Sequence, residues 1–186
     1  MEELDKLQEQ LIRLHKRLRD ETQAKFGRVN PFVEDLTDWK ERGAYLFGEG
    51  KNITVYNTAS LCGDVKVGDN TWIGPYTAID GTAGVKIGSF CSISSGVQIV
   101  THDSVKYALS GGKVPYELGP IQIGNNCFIG TNAMVTKGVT IGDHCLIGAG
   151  AIVTSDIPSY SIAVGIPARV KGRVKVTGDK VELLYD

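Results

Sequence analysis

The stretch "IGNNCFIGTNAMVTKGVTIGDHCLIGAGAIV", residues 123–153, carries an aliphatic residue at every sixth position. We call these positions the anchors; they are Ile123, Ile129, Val135, Ile141, Ile147 and Val153. Four positions after each anchor, the residue is again small or apolar. A period of six is too long for one face of an α-helix, and a fixed internal period is typical of a repeat architecture.

The same count extends towards the N-terminus. Earlier anchors are Val55, Leu61, Val67, Ile73 and Ile79 and, after a two-residue insertion, Ile87, Ile93 and Ile99. Glycine follows many anchors, often with Asp or Asn next, as tight turns require. The pattern therefore predicts an all-β parallel solenoid of about five to six triangular coils, in which each group of six residues forms one strand and one corner.

The repeat also predicts which residues stack. Residues one coil apart differ by 18 positions once insertions are set aside, which gives three vertical columns: Val67, Ile87, Ile123 and Ile141; Ile93, Ile129 and Ile147; Thr71, Cys91, Cys127 and Cys145. Coils stack about 4.8 Å apart, too far for thiolates to share a zinc ion with bonds of about 2.3 Å. We therefore expect buried, reduced thiols and no metal.

The isoleucine-rich repeats, together with residues 123–170, which end in "SIAVGIPARV", resemble the hexapeptide-repeat acyltransferases and, within them, the sugar acetyltransferases. The resemblance covers roughly residues 53–173. It implies a left-handed parallel β-helix and a homotrimer with active sites between neighbouring subunits. It further implies acetyl-CoA as co-substrate, with no metal required, and a sugar or nucleotide-sugar as acceptor.

The ends of the chain leave the repeat, so we divide it into an N-terminal helix and linker (1–52), the β-helix acyltransferase domain (53–170) and a closing segment (171–186). Leucines at alternating spacings of three and four predict a helix over 2–26. It packs on a solenoid or forms a short coiled coil along a trimer axis. We expect irregular chain around Pro31 and Gly43, and a closing strand that covers the open end of the solenoid.

The repeat is interrupted after Ile99. Asp103 falls where a strand needs a small inward residue, so we expect the chain to leave the coil there as an extended loop at 101–120. His102 lies at its start, and imidazole, with an unperturbed pKa of about 6.5, can both accept and return a proton at neutral pH. The resemblance implies direct acetyl transfer with His102 as general base. Glu117, with Asp103 second, is expected to orient it, although a backbone carbonyl would also serve.

The resemblance also assigns the remaining site residues. Asp80 lies close to a substrate-binding carboxylate of the family, whose aligned position is nearer Thr82. Family positions that contact coenzyme A match Thr131, Ala149, Thr154, Ser155 and Arg169, and Arg173 or Lys171 replaces a second arginine that aligns with Gly172.

Composition excludes several other classes. A net charge of −1 provides no field to hold nucleic acid, and no apolar stretch is long enough for a membrane span, so we expect a cytoplasmic protein. A carbonic anhydrase of this fold needs three converging histidines, but the chain has only His15, His102 and His144, one of them on the leading helix. The alternatives are an antibiotic acetyltransferase and a non-catalytic scaffold subunit. The acceptor sugar, O- or N-transfer and the acyl length stay open.

Overall fold

The structure, a computed structural model, describes residues 2–186. The predicted N-terminal helix is confirmed as α1 (Glu2–Phe26), and residues 27–31, up to Pro31, are irregular as expected, but the linker is helical around Gly43. It contains α2 (Phe32–Asp35) and α3 (Trp39–Phe47). Gly43 lies inside α3 because the helix packs directly on the first coil: a Cβ atom there would lie 2.0 Å from the carbonyl oxygen of Ile53. The glycine therefore marks a close contact and not a break.

A buried carboxylate joins these helices to the solenoid. Glu34 is 4% exposed, and it accepts hydrogen bonds from the backbone N–H groups of Asn57 and Thr58, both at 2.8 Å. Trp39 Nε1 donates to the same carboxylate at 3.0 Å. These contacts satisfy the buried charge and fix α2 and α3 on the first coil.

The solenoid has about six turns, and its parallel strands form three stacked columns. The first column consists of β1 (Thr54–Val55), β3 (Trp72–Ile73), β5 (Ser92–Ile93), β10 (Phe128–Ile129), β13 (Leu146–Ile147) and β15 (Ser161–Val164). The second consists of β6 (Gln98–Val100), β11 (Met134–Val135), β14 (Ile152–Val153) and the first halves of β2 (Ser60–Val67) and β4 (Ala78–Ile87). The third consists of the second halves of β2 and β4, with β9 (Ile121–Ile123) and β12 (Thr140–Ile141).

The predicted aliphatic columns are confirmed by the strand register. Ile129 pairs with Ile93 on one side and Ile147 on the other, and all three side chains are fully buried. The column that starts at Val67 is paired in the same way through Ile141. Successive strands therefore direct the anchors into one continuous apolar core between the three columns.

The cysteine column is buried, and its thiols bond to the backbone. Cys91 Sγ lies 3.1 Å from the carbonyl oxygen of Gly124, and Cys127 Sγ lies 3.1 Å from that of Gly142. All four cysteines are free. Among residues 2–186, no group of three or more His, Cys, Asp or Glu side chains could hold a metal ion.

The chain ends in a hairpin. After β15 it reverses into β16 (Arg169–Thr177) and β17 (Lys180–Tyr185), which are paired antiparallel and extend the first column. The segment that follows the solenoid is thus a pair of strands that begins at Arg169, where a single closing strand was expected. None of the helices in residues 2–186 combines the length and the hydropathy that a membrane-spanning helix needs.

The excursion from the coil is folded. Within it, β7 (His102–Asp103) and β8 (Glu117–Leu118) pair antiparallel, and α4 (Val105–Leu109) lies between them. We call residues 101–119 the histidine hairpin. It leaves the solenoid at the corner between the second and third columns, and the chain rejoins the third column at β9.

Candidate active site

Backbone and side-chain bonds close the neck of the histidine hairpin. Thr101 is fully buried; its hydroxyl donates to the carbonyl oxygen of Asp80 at 2.9 Å and accepts from the N–H of Ala83 at 3.0 Å. The N–H of Gly119 donates to the carbonyl oxygen of Thr101 at 2.9 Å. The preceding coil therefore fixes the point at which His102 leaves the solenoid.

Asp80 faces His102 from that preceding coil. Its Oδ1 accepts from the N–H and the hydroxyl of Thr82 at 2.8 and 2.6 Å, and its Oδ2 lies 2.9 Å from His102 Nδ1. The hydrogen bond from the Thr82 hydroxyl is the largest cause that lowers the pKa of Asp80, and the charge of His102 lowers it further. The side chain facing Nδ1 is therefore an ionised carboxylate at neutral pH.

The contact between Nδ1 and Asp80 is close but not well directed. Nδ1 is buried and makes no hydrogen bond of good geometry to any described residue, although Oδ2 is within hydrogen-bonding distance. Hydrogen bonds in unliganded sites are often misaligned and tighten when substrate binds, so the short distance fits a pair that aligns in the complex.

Glu117 and Asp103, the expected orienters, face away from His102. Successive residues of a strand point to opposite sides, so Asp103 points away from the histidine that precedes it. Glu117 is the cross-strand partner of Asp103, whereas His102 is opposite Leu118. Both carboxylates contact Lys137 Nζ instead, at 2.5 Å for Asp103 and 3.3 Å for Glu117. The geometry therefore does not fit the expectation that Glu117 or Asp103 orients His102. The carboxylate next to the imidazole is that of Asp80.

Three further side chains of the site were not anticipated. The ring of Tyr116 lies parallel to the His102 imidazole, with the centroids 6.0 Å apart, and Tyr107 meets Tyr116 edge to face at 5.0 Å. Lys137 comes from the corner of the next coil, between β11 and β12. The sequence contained one indication of Lys137. Of the corners that join the second column to the third, the corner with Lys137 is the first after the interruption.

Most of the residues assigned to coenzyme A surround one strand, β14. Thr131 and Ala149 are exposed at consecutive turns of one corner, joined by a hydrogen bond from Gly150 N–H to the carbonyl oxygen of Thr131 at 2.8 Å. The other end of β14 leads into Thr154 and Ser155, which are also exposed. The N–H of Ala168, directly before Arg169, donates to the carbonyl oxygen of Ile152 within the strand.

Arg173 lies apart from this group. On β16, Arg169 is paired with Val164, at the end of β15 that lies beside β14, where the N–H of Ile152 donates to the carbonyl oxygen of Gly165 at 3.1 Å; Arg173 is paired with Ser161 at the other end of β15. Five of the six residues assigned to coenzyme A therefore lie at the two corners that flank β14 or beside that strand. Small exposed side chains and one cation fit a slim thiol arm that ends in phosphates.

Known proteins with a similar sequence are hexapeptide-repeat transferases. A family model described as the hexapeptide repeat of succinyl-transferase matches residues 120–155. The chain is 34% identical over 162 residues to the galactoside O-acetyltransferase of Escherichia coli (strain K12), which covers 74% of this chain and 80% of that protein.

Two solved structures share the fold. One is a variant of AntD, an N-acyltransferase from Bacillus cereus, in complex with dTDP-4-amino-4,6-dideoxyglucose and coenzyme A, with a TM-score of 0.60, 25% identity and coverage of 67% of this chain and 71% of that one. The other is the polySia-specific acetyltransferase NeuO, with a TM-score of 0.55, 29% identity and coverage of 70% and 66%.

Proposed function

The chain belongs to the hexapeptide-repeat acyltransferase family, and from this premise we propose that it transfers an acetyl group from acetyl-CoA to a hydroxyl or amine of a sugar. Among the similar proteins, one is named for a galactoside and one for polySia, and AntD was crystallised in complex with a nucleotide-linked amino sugar. These names support a nucleotide-linked or polymer-bound sugar as the acceptor here. A homotrimer with active sites between subunits belongs to the same proposal.

The observation that carries the mechanism is the 2.9 Å contact between Asp80 Oδ2 and His102 Nδ1. A carboxylate at Nδ1 favours the tautomer that has its proton on Nδ1, which leaves the Nε2 lone pair free to act as a base. The same carboxylate stabilises the imidazolium that forms when Nε2 accepts a proton. Asp80 is thus a positioning residue for His102 in this proposal, which replaces the substrate-binding role first expected of it.

Acetyl-CoA supplies the thioester carbonyl that the acceptor attacks. His102 Nε2 takes the proton of the attacking hydroxyl or amine as the new bond forms, and it returns that proton to the departing thiolate. The transfer is direct, so no side chain has to carry the acetyl group. The residues around β14 would hold the thiol arm, and Arg169 would meet a phosphate at its nucleotide end.

The proposal predicts release of free coenzyme A when acetyl-CoA is mixed with the correct acceptor. Galactosides, dTDP-linked amino sugars and polysialic acid form the test panel, and a thiol reagent detects the product. At least one sugar should raise the release rate well above acceptor-free hydrolysis. Transfer to a hydroxyl-bearing antibiotic but to no sugar would contradict the proposed acceptor class.

The geometry around β14 predicts that Arg169→Ala weakens coenzyme A binding more than Arg173→Ala does. A ligand present at 100 times its Kd adds about 2.7 kcal/mol to the unfolding free energy, so wild type should melt at a clearly higher temperature with coenzyme A. Arg169→Ala should lose much of this shift, and Arg173→Ala should keep it. No shift in wild type at millimolar coenzyme A would support a non-catalytic scaffold, and equal losses in the two variants would contradict the assignment around β14.

A further inference from the structure

Four charged side chains cluster where the histidine hairpin faces the following coil. Asp103 and Glu117 are cross-strand partners in β7 and β8, Lys106 comes from α4, and Lys137 comes from the solenoid corner after β11. We call these four residues the hairpin clamp. None of them contacts the His102 ring within ion-pairing distance in the described structure, so the mechanism above does not use them.

The hairpin clamp offsets an electrostatic repulsion between two carboxylates of the histidine hairpin. Like charges directly opposite each other on paired strands are destabilising, and Asp103 and Glu117 are such a pair. Lys137 Nζ pairs with both, at 2.5 Å from Asp103 Oδ2 and 3.3 Å from Glu117 Oε2, and Lys106 supplies a second positive charge at Glu117. The hydrogen bond to Lys137 lowers the pKa of Asp103, that to Lys106 lowers the pKa of Glu117, and the bond to Asp103 raises the pKa of Lys137.

Lys106 and Lys137 have different mechanical roles. Lys106 contacts Glu117 Oε1 but belongs to the hairpin itself, so this bond cannot hold the hairpin on the solenoid. Lys137 belongs to the solenoid, and the N–H of the next residue, Gly138, donates to the carbonyl oxygen of Gly119 in the hairpin neck at 3.1 Å. The packing there is tight, since a Cβ at Gly119 would lie 2.7 Å from the nitrogen of Gly138.

These contacts bear on the catalytic histidine because Asp103 follows it directly. Fixing Asp103 on the following coil fixes the peptide unit that it shares with His102, whose ring then points to the opposite side of β7. On that side lies Asp80, from the preceding coil. His102 is thus held between two coils. Asp80 of the preceding coil contacts the His102 ring, and Lys137 of the following coil contacts Asp103, the next residue in the chain.

We propose that Lys137 is a positioning residue for acetyl transfer, acting through Asp103 and Glu117 to hold the histidine hairpin so that His102 faces Asp80. The inference rests on the proposed function, because it assumes that His102 is the base. It also assigns a role to the two carboxylates that were expected to orient the histidine.

The main test is Lys137→Met, which keeps most of the aliphatic stem and removes the charge. Misplacement of a catalytic group by about 1 Å can cost 10²-fold, so we expect kcat to fall by about 10–100-fold while KM for acetyl-CoA stays unchanged. Lys137→Arg should restore most of the rate. Lys66→Met is the control, because Lys66 also pairs with an aspartate, Asp64 at 3.2 Å, but lies outside the hairpin; its kcat should stay at the wild-type value.

A second variant separates positioning from direct binding of substrate by Lys137. Asp103→Asn with Glu117→Gln removes both anchors and leaves the lysine in place, so it should reproduce the loss of kcat, and adding Lys137→Met should cause little further loss. If this double variant keeps the wild-type kcat while Lys137→Met does not, Lys137 acts on substrate and the inference is wrong. Wild-type kcat in Lys137→Met, with His102→Ala inactive, would also overturn the inference and leave the proposed function standing. Full activity in His102→Ala would instead refute the proposed function.

Discussion

His102→Ala is expected to lower kcat for acetyl transfer by about 10²–10⁴-fold, the usual contribution of a positioned general acid–base group. The loss should appear in kcat, while KM for acetyl-CoA stays near the wild-type value, because the residues around β14 are unchanged. Release of coenzyme A with the active sugar of the panel measures both constants.

His144→Ala is the matched control. His144 is also at a solenoid corner, but its ring stacks on Tyr160 with centroids 4.7 Å apart, and the mechanism does not involve it. We expect this variant to keep wild-type turnover, and we expect Asp80→Asn to fall between the two histidine variants. A kcat of His102→Ala within a few-fold of wild type would show that another group accepts the proton.

Ile141→Ala is expected to lower the free energy of unfolding by about 2–5 kcal/mol, the range measured when a large aliphatic side chain is truncated in a core. Ile141 is 1% exposed and lies between Ile123 of the preceding coil and Ile157 of the next. Because each coil contacts only its neighbours, the cavity would weaken the stack at an interior level. Denaturant unfolding, monitored by circular dichroism, measures the change.

Thr140→Ala provides the comparison within the same strand. Thr140 precedes Ile141 in β12, and its side chain points outward to solvent. Its truncation should therefore change the stability by about 0.5 kcal/mol or less, as at other surface positions. Equal losses for the two variants would mean that the inward and outward sides of the strand were assigned incorrectly.

The fold could be predicted because its signal is repeated many times. Every anchor except the half-buried Leu61 is buried for the same reason, so one irregular position does not shift the others. The linker was misread at Gly43, because a single glycine in a sequence can indicate either a break in a helix or a close contact with another backbone segment. Only the position of Ile53 above α3 distinguishes them.

The candidate site was predicted less completely. His102 was identifiable because it begins the interruption of the repeat. Its partner, Asp80, lies on the preceding coil. The insertion near Ala83 and the excursion at His102 both interrupt the six-residue count, so the count does not predict that the two side chains meet. Asp103 and Glu117 were favoured because they are near His102 in sequence. The alternation of side chains along β7 then directs them to the opposite side, where they meet Lys137.

The reversal of the chain at β16 has a consequence for self-association. A parallel solenoid exposes at its last turn three unpaired strand edges, a complete template on which another turn could stack. Here only one of the three walls continues past that turn, and it does so with strands of the opposite direction. A second molecule approaching this end would not find three parallel strand edges at one level, a geometry that opposes end-to-end growth into fibres.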